Sequence, residues 1–465
     1  MSTTVVAKFG GTSMGSKKAM EKCGETIKAY PDLRVVLVSA TSGTTNILVE
    51  LAKLSIYGEK NQARIEQLLK DLEEKHLSMA SDIGVRAETL KKIEELVLAA
   101  KNLAIGMSLL CEASLQATDS LLSIGERLSS LLFTELLQDC GINATWLDIR
   151  EVMKTNSDFG KAIPDLELIK TLAKEKITPL CENHVVITQG FIGSDEEGKT
   201  TTLGRGGSDY SAALIAEALD ASTLQIWTDV PGLKTTDPRV VSAAIKIDEI
   251  NFNESAELST FGAKVLHPAT LWPAIRKNIP VYVGNSQNHL EGGTWVRPKS
   301  KNRPLVRALA MRRQQKLLTL TSLEMVHAPG FLAKVFTILA RHKISVDLVT
   351  TSEVNVAITL DEPTSLTRDV ARELKEHCHI QLEENLCLIA VIGNDIAHTP
   401  KLVGEIFKVT SEHSIRLICH GAGQHNLCFL VKRDEAENIL KNLHKHFIEN
   451  PVDIKPTQAC PGVKL

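Results

Sequence analysis

Two glycine-rich segments carry the residue types best suited to chemistry. The first reads Lys-Phe-Gly-Gly-Thr-Ser at 8–13, at the end of an apolar run, and Ser16 then opens an amphipathic pattern that continues to about Tyr30. Glycines let backbone N–H groups approach an oxyanion, the following helix N-terminus favours negative charge, and Lys8 adds a full positive charge. We therefore predict an anion-binding turn between a strand and a helix.

The second segment lies far downstream and has the same character. It reads Thr-Thr-Thr-Leu-Gly-Arg-Gly-Gly-Ser-Asp at 200–209 and precedes a helical pattern from Tyr210 to Leu219. Neither segment matches the Walker pattern or the dinucleotide-binding fingerprint. Either one alone would be explained as an ordinary turn, but two in one domain suggest a nucleotide polyphosphate held from two sides.

The elements around these turns predict a mainly parallel sheet covered on both faces. Short β-branched runs alternate with helical patterns, which is typical of α/β proteins. The runs occupy 4–9, 34–39, 184–189, 223–228 and 280–283. Ligands of such sheets collect at the carboxyl ends of the strands, where Lys8, Ser39, Thr45 and Asp229 would converge. Residues from about 60 to 138 read as a helical insertion that packs on the sheet or on another subunit.

Composition excludes several classes of function. The 465 residues carry a net charge of −3, which gives no basic face for nucleic acid. We find no secretory signal and no apolar run long enough to span a membrane. The nine cysteines are scattered, as expected of free thiols in a reducing cytosol. The expected location is cytoplasmic.

The last third of the chain contains an internal repeat. Corresponding positions of its two copies are separated by one constant spacing: 317–320 with 388–391, Phe336 with Phe407, Ile344 with Ile415, and Asn355 with Asn426. Each copy reads strand, helix, strand, hairpin, strand, helix and final strand. This pattern predicts two small βαββαβ modules.

The two copies differ in the residues that could bind a ligand. The first has Ser345 and Asp347 on a predicted strand, where the second has Arg416 and Ile418. A helix N-terminus in the first copy would bind an α-carboxylate, and an acidic side chain would pair with an ammonium group. The first copy can therefore hold a cationic amino acid, and the second has lost that capacity.

Five ordered motifs identify a family resemblance over essentially the whole chain. They are the segments 8–13 and 204–209, Trp-Thr-Asp-Val-Pro-Gly at 227–232, Thr-Thr-Asp-Pro-Arg at 235–239, and Phe-Gly-Ala-Lys-Val-Leu-His-Pro at 261–268. This set resembles the aspartate kinases of the amino acid kinase superfamily, most closely their monofunctional lysine-sensitive form. The C-terminal repeat resembles paired ACT domains.

The resemblance implies a fold and a domain organisation. The fold is an amino acid kinase-type αβα sandwich followed by two ACT-like modules. The implied domains are a catalytic domain at 1–295 with a helical insertion at about 60–138, a linker and first ACT-like module at 296–386, and a second module with a C-terminal tail at 387–465.

The implied reaction is transfer of a phosphoryl group from ATP, with Mg²⁺, to the side-chain carboxylate of L-aspartate. It forms 4-phospho-L-aspartate, the first step of lysine, threonine and methionine biosynthesis, with feedback inhibition by L-lysine. The acceptor carboxylate is ionised at pH 7, so the reaction needs no general base. Positioning and charge stabilisation carry phosphoryl transfer, and we accordingly find no catalytic Ser-His-Asp or Cys-His arrangement in the sequence.

The family motifs assign roles to individual residues. The implied catalytic residues are Lys8 and Asp209. The implied substrate-binding residues are Ser39, Thr45, Glu126, Arg205 and Ser208. The implied nucleotide-binding residues are Lys8, Phe9, Gly10, Gly11, Thr228, Asp229, Lys234, Arg239, Lys264 and Val265. The implied lysine-binding residues are Met325, His327, Ala328, Gly330, Phe331, Leu332, Ser345, Val346, Asp347, Ser352 and Glu353.

Within the predicted active site, each charged residue has a distinct expected part. Lys8 would follow the charge between the β- and γ-phosphates, and Asp209 would orient Lys8 or a Mg²⁺-bound phosphate. Arg205 would hold the substrate's α-carboxylate through its planar fork, and Glu126 would receive the α-ammonium group. Lys234 departs from the family, which often has an aromatic residue at that position.

Other interpretations stay open on the sequence alone. The chain could phosphorylate another small acid or a nucleotide, as glutamate 5-kinase and uridylate kinase do, or it could be a non-catalytic amino acid sensor. Fusion to a homoserine dehydrogenase is disfavoured because the chain ends shortly after the second repeat. No metal site is predicted, although Cys419, His420, His425 and Cys428 lie close together in sequence. The ACT-like modules imply a homodimer, and dimer or tetramer is left open.

Overall fold

The computed structural model describes residues 4–262, 266, 268–322, 325, 330–360, 366–451 and 454. These residues form two compact units. The first unit contains the described residues within 4–233, 246–252 and 266–301, and the second contains those within 234–245, 253–262 and 302–454. The predicted domain boundaries at 295 and 386 stay predictions.

The first unit is built on an eight-stranded sheet and a separate two-stranded hairpin. Its strands are β1 (Val5–Phe9), β2 (Leu33–Val38), β3 (Ala144–Trp146), β4 (Val185–Gln189), β5 (Ile192–Ser194), β6 (Thr200–Thr202), β7 (Thr223–Thr228), β8 (Glu249–Asn251), β9 (Val281–Asn285) and β10 (Gly293–Arg297). The sheet order is β3-β4-β2-β1-β7-β9-β10-β8, with β5 and β6 forming the hairpin. Within the eight-stranded sheet, neighbouring strands are parallel except β9 and β10, and the hairpin is antiparallel.

The sequence explains why the central strands are parallel. β1, β2 and β4 are almost continuously buried and mostly apolar, as expected of strands covered by helices on both faces. The covering helices are α1 (Lys17–Ala29), α2 (Thr44–Ser55), α3 (Gln62–Ile83), α4 (Ala87–Leu110), α5 (Leu115–Asp139), α6 (Leu166–Leu172), α7 (Thr178–Cys181), α8 (Gly207–Ala218) and α10 (Pro268–Lys277). Helix α9 (Phe252–Phe261) spans the division between the units.

The predicted helical insertion consists of α3, α4 and α5. Leucines of these helices share one core with the sheet, for example Leu72, Leu96 and Leu128 with Phe9 and Val36. The insertion therefore packs against the sheet of its own chain. No helix in the described part of the chain has both the length and the apolar character needed to cross a membrane.

The second unit contains a six-stranded antiparallel sheet, as expected of two ACT-like modules. Its strands are β11 (Val306–Thr321), β12 (Val349–Thr351), β13 (Asn355–Leu360), β14 (His379–Gly393), β15 (Leu417–His420) and β16 (Asn426–Lys432), in the order β12-β13-β11-β14-β16-β15. Its further helices are α11 (Phe331–Arg341), α12 (Arg368–Lys375), α13 (Pro400–Val409) and α14 (Arg433–His444). The predicted α/β class with two appended modules is confirmed.

The final strand expected after α14 stays a prediction. Helix α14 continues into a helical turn, Lys445–Glu449, and beyond that turn only residues 450, 451 and 454 are described. The second module pairs its part of β14 with the first half of β11, where Val306 faces Gly393. Both β11 and β14 therefore serve both modules. The ladder is irregular between Arg312 and Leu317, and Gln314 there has a φ of 59°.

Candidate active site

A cleft of about 810 Å³ in the first unit brings together most of the predicted catalytic residues. Both glycine-rich segments contribute to its walls, as does the loop that follows β2. The predicted residues that line it are Lys8, Gly10, Gly11, Ser39, Thr45, Glu126, Arg205, Ser208, Asp209, Thr228 and Asp229. They come from the carboxyl ends of β1, β2 and β7 and from α2, α5 and α8, so the sheet edge collects them as the topology predicts.

Three helix N-termini contribute to the cleft walls. A short 3₁₀ helix, Gly11–Met14, follows Gly10, while α2 and α8 follow Gly43 and Gly206. The φ angles of Gly43 and Gly206, 80° and 75°, lie in the left-handed region that favours glycine. The first turn of a helix leaves N–H groups without intrahelical acceptors and is attractive to anions. The three turns together suit a ligand with several negative charges.

Helix α8 begins earlier than the sequence pattern predicted. The expected start was Tyr210, but the left-handed Gly206 caps a helix that already begins at Gly207. Ser208 and Asp209 therefore belong to the first helical turn. The close approach of Ser208 to the end of β4 requires Gly190, because a Cβ at that position would lie 2.8 Å from the Ser208 Cβ.

The two glycines after β1 have different uses. The N–H of Gly10 donates to the carbonyl of Trp227 at 3.1 Å, so it completes the sheet and is not available to a ligand. Gly11 is tightly packed, since a Cβ there would lie 3.1 Å from the carbonyl oxygen of Ala40. The donors that this turn offers are the first N–H groups of the short helix, on Gly11 and Thr12.

Lys8 and Asp209 form an ion pair in the cleft. The Lys8 Nζ and the Asp209 Oδ1 are 2.6 Å apart, and their side chains are only 11% and 16% exposed. Lys8 stands near the end of β1, and Asp209 reaches it from the first turn of α8. This contact joins the two glycine-rich segments and fixes the direction of the ammonium group.

Glu126 is a buried carboxyl group beside the strand end. Its Oε1 accepts a hydrogen bond from the N–H of Ala40 at 3.2 Å, and no group in the described residues hydrogen-bonds its Oε2. Burial raises its pKa to about 8. Gly125 makes this position possible, because a Cβ there would lie 2.8 Å from the Ala40 Cβ. The site thus holds a carboxyl group in need of a partner.

Arg205 provides an exposed guanidinium at the rim of the cleft. Among the described residues, no carboxylate pairs with it, so its planar donor fork is available to a ligand. Phe9, in contrast, has a fully buried side chain stacked on Trp227. Only its backbone could contact a nucleotide.

Sequence reasoning missed three residues that shape the cleft. Asp119 is buried in α5 and accepts hydrogen bonds from the N–H groups of Gly160 and Thr202, at 2.8 and 2.9 Å. Its pKa is raised by burial. Its spacing of two helical turns from Glu126 was a signal that could have found it. Lys75 and His76 of α3 contact the loop after β2, and nothing in their own helical pattern pointed to that loop.

The remaining nucleotide residues are divided between the two units. Thr228 and Asp229 follow β7 in the first unit, and the Thr228 hydroxyl donates to Asp229 at 3.1 Å. Lys234 and Arg239 belong to the second unit, where Arg239 forms an exposed ion pair with Asp237. The predicted residues Lys264 and Val265 lie outside the described residues.

The described members of the predicted lysine-binding set belong to the first module. Gly330, with a φ of 94°, caps α11, and Phe331 begins that helix with its side chain in the module core. Ser345, Val346 and Asp347 precede β12 and do not form part of it, contrary to the expected strand.

Other predicted members of that set are partly accessible or undescribed. Ser352 closes the β12–β13 turn by accepting from the N–H of Asn355 at 3.1 Å. The remaining residues are the partly buried Met325 and Val346, and the exposed Leu332 and Glu353. His327 and Ala328 lie outside the described residues.

Asp347 already has a cationic partner. Its Oδ2 lies 3.3 Å from the terminal nitrogen of Arg312 on β11, and the two side chains are 26% and 18% exposed. An effector's ammonium group would therefore meet a carboxylate that is neutralised in the free protein.

No group of three or more His, Cys, Asp or Glu side chains in the described residues could hold a metal ion. The cleft does contain oxygen donors in Asp209 and Asp229. Mg²⁺ is commonly bound by one or two carboxylates together with substrate phosphates. This donor set fits a metal ion that arrives with a nucleotide.

Comparison with known proteins gives a consistent result. A model of the amino acid kinase family matches residues 3–285, and a model of the ACT domain matches residues 318–367 and 389–447. The chain is 49% identical over 463 residues to the lysine-sensitive aspartokinase 3 of Escherichia coli, and the match covers 97% of this chain and 100% of that one.

Two solved structures of E. coli aspartokinase III resemble the chain over nearly its full length. The first, in complex with aspartate and ADP in the R-state, has a TM-score of 0.85 and 49% identity, and covers 95% of this chain and 99% of that one. The second, in complex with lysine and aspartate in the T-state, has a TM-score of 0.82 and 48% identity, and covers 96% and 99%.

Proposed function

The chain belongs to the amino acid kinase family and within it to the aspartokinases, and we propose that it transfers the γ-phosphoryl group of ATP to the side-chain carboxylate of L-aspartate. The product is 4-phospho-L-aspartate, which enters lysine, threonine and methionine biosynthesis. L-lysine inhibits the reaction by binding to the first ACT-like module.

One observation carries this proposal. A single cleft combines the Lys8–Asp209 ion pair, the exposed Arg205 guanidinium and the buried Glu126 carboxyl group. Arg205 is suited to an α-carboxylate and Glu126 to an α-ammonium group, so the pair can recognise a free amino acid. The similar E. coli structures contain aspartate in one case with ADP and in the other with lysine, which supports the choice of substrate and effector.

The chemistry requires charge neutralisation and no general base. The aspartate side chain is ionised at neutral pH and attacks the γ-phosphorus directly. Lys8, held by Asp209, reduces the repulsion between the carboxylate and the triphosphate and follows the charge during transfer. The first N–H groups of the Gly11–Met14 helix and of α8 donate to phosphate oxygens, while Thr45 and Ser39 position the acceptor carboxylate.

Mg²⁺ is proposed to accompany ATP, with Asp209 and Asp229 as its protein ligands. When bound, it would neutralise part of the phosphate charge. Thr228, Asp229, Lys234, Arg239, Lys264 and Val265 are proposed to hold the nucleotide. The protein is proposed to act in the cytoplasm, as a homodimer formed through the ACT-like modules.

A hydroxamate assay on the purified protein tests the function. Hydroxylamine converts an acyl phosphate into a coloured hydroxamate, and we expect product only with ATP, Mg²⁺ and L-aspartate together. L-glutamate and a nucleoside monophosphate should not replace aspartate, and L-lysine should inhibit at millimolar concentration. Absence of hydroxamate would favour the non-catalytic sensor. Inhibition by threonine or methionine in place of lysine would overturn the effector assignment alone.

A further inference from the structure

Two adjacent residues of α3, Lys75 and His76, hold the loop that follows β2. The Lys75 Nζ donates to the carbonyl of Ser42 and, at 3.1 Å, to the hydroxyl of Thr44. On the other side, the His76 Nε2 lies 3.0 Å from the Thr41 hydroxyl. Thr41 and Thr44 are joined by a hydroxyl–hydroxyl hydrogen bond of 2.6 Å. One helix of the insertion thus hydrogen-bonds to both ends of the loop formed by residues 41–44.

The chemistry of the groups fixes the direction of this hydrogen-bond chain. The His76 Nδ1 lies 2.7 Å from the carbonyl of Leu72, which can only accept, so Nδ1 carries the proton. Burial lowers the pKa of His76 to about 4, so the ring is neutral and its Nε2 accepts from Thr41. Thr41 then accepts from Thr44, and Thr44 accepts from Lys75. The hydroxyl protons of Thr41 and Thr44 therefore each have one assigned acceptor.

The 41–44 loop is part of the cleft wall. Residues 41–43 and Thr45 line the cleft, and α2 begins at Thr44. Ala40, which immediately precedes the loop, donates its N–H to Glu126, the proposed partner of the substrate's ammonium group. The N-terminus of α2 therefore faces the amino acid end of the cleft.

Packing alone does not explain Lys75. It is a half-buried cation beside a helix N-terminus, where the helix dipole makes a positive charge unfavourable. In the part of the chain that the structure describes, no carboxylate pairs with it. A cation in this position becomes favourable when an anion occupies the turn, because the Lys75 ammonium and the N-terminus of α2 then attract the same negative charge.

We propose that Lys75 and His76 are positioning residues for aspartate. They fix the 41–44 loop, and Lys75 adds positive charge behind this turn, which receives the substrate's side-chain carboxylate. This inference rests on the proposed function, and it gives the helical insertion a role in substrate binding in addition to packing. Neither residue touches the substrate; both act through the loop.

Steady-state kinetics with the full-length protein test the proposal. We expect Lys75→Met to raise the KM for aspartate by about tenfold, the typical effect of losing a charge-assisted hydrogen bond, with the KM for ATP unchanged. Lys70→Met is the matched control, because Lys70 lies on the same helix with its side chain 64% exposed and pairs with Glu74. It should leave both constants at the wild-type values.

Two further variants separate positioning from stability. Thr44→Val keeps the shape of a fully buried side chain but removes the hydroxyl, so it interrupts the hydrogen-bond chain. Thr44→Ser keeps the hydroxyl and should show the wild-type KM for aspartate. The double variant Lys75→Met/Thr44→Val should cost less than the sum of its single changes, because both break the same contact. A purely structural role would lower the thermal unfolding midpoint and leave both KM values unchanged.

The possible results are distinguishable. If the wild-type protein does not phosphorylate aspartate, the proposed function fails. If the wild type is active and Lys75→Met and Thr44→Val both keep its KM for aspartate, the positioning role is wrong. An increase in the KM for ATP alone would likewise overturn it, since the loop would then serve the nucleotide.

Discussion

The active-site cleft and the predicted lysine site each contain a carboxylate already paired with a cation, yet the two pairs have different surroundings. Lys8 and Asp209 are 2.6 Å apart in a cleft whose walls come from at least six elements. Arg312 and Asp347 are 3.3 Å apart beside β12, which is an edge strand with exposed side chains. The Lys8–Asp209 pair is enclosed by its own unit, and the Arg312–Asp347 pair lies beside an exposed sheet edge.

This difference indicates how each site can be completed. The cleft collects its binding groups from distant parts of one unit, so a ligand can be surrounded by a single chain. The predicted lysine-binding residues belong to one small module next to β12, which is an edge strand of the sheet among the described residues. Such an edge is a ready template for pairing with another chain. The contrast favours catalysis as a property of one subunit and regulation as a property of the proposed homodimer.

The largest expected effect comes from removing the catalytic cation. Lys8→Ala should lower kcat by about 10³-fold, because removal of one charge-stabilising donor from an active site costs two to three orders of magnitude. Lysine binding, measured by calorimetry, should persist. Lys22→Ala, which removes an exposed lysine paired with Glu25, is the control. If Lys8→Ala also abolished lysine binding, the two sites would not be separable as the comparison requires.

The second prediction concerns Glu126 and pH. Because its pKa is raised to about 8, the free enzyme holds this carboxyl protonated at pH 7, while an ammonium ligand requires the carboxylate. We expect the KM for aspartate to fall about tenfold per pH unit between pH 6 and 8 and to level off above. Calorimetry at pH 7 in buffers of different ionisation enthalpy should show release of about one proton. A flat KM profile would contradict the ammonium-binding role.

Glu126→Gln supplies the matched variant for that experiment. It should bind aspartate weakly and without this pH dependence. The unfolded carboxyl loses its proton near pH 4.5 while the folded one keeps it to about pH 8, so wild-type stability falls across that interval. The unfolding midpoint of Glu126→Gln, measured relative to the wild type, should therefore rise from pH 5 to pH 8.

Much of the first unit was predictable because its signals are local. The apolar runs predicted both ends of β1, β2, β4 and β7 to within one residue. The glycine motifs marked the turns that follow two strands. Strand ends of a parallel sheet meet at one edge, so the sequence already implied that Lys8, Ser39 and Asp229 share a cleft. The resemblance added Glu126, which its helix pattern alone would have left as a solvated residue.

What sequence reasoning missed depends on partners that are distant in the chain. An apolar strand pattern does not specify its neighbour, so nothing indicated that 306–312 pairs with the second module. Likewise, the segments 234–245 and 253–262 follow catalytic motifs in sequence but pack in the second unit. Lys75 and His76 lie on a regular amphipathic helix, and only the tertiary structure reveals the loop that they hold.

A third prediction tests the predicted lysine site beside the edge strand β12. Asp347→Ala should raise the lysine concentration for half-inhibition by about tenfold, because the effector loses its charge partner, and should leave basal turnover unchanged. Asp369→Ala, on the exposed α12 and paired with Arg372, is the control for removal of a carboxylate from the same module. Unchanged inhibition in Asp347→Ala would place the effector elsewhere and would remove the basis of the comparison.

The smallest expected effect distinguishes two roles for Arg312. If its guanidinium competes with the effector's ammonium for Asp347, Arg312→Met should strengthen inhibition by about two- to fivefold, since a partly exposed ion pair contributes under about 1 kcal/mol. Arg313→Met is a close control, because the adjacent Arg313 pairs with Glu437 instead. Weaker inhibition in Arg312→Met would show that the arginine orients Asp347 for the ligand. The regulatory pair would then resemble Lys8 and Asp209, in which one partner holds the other in place for binding.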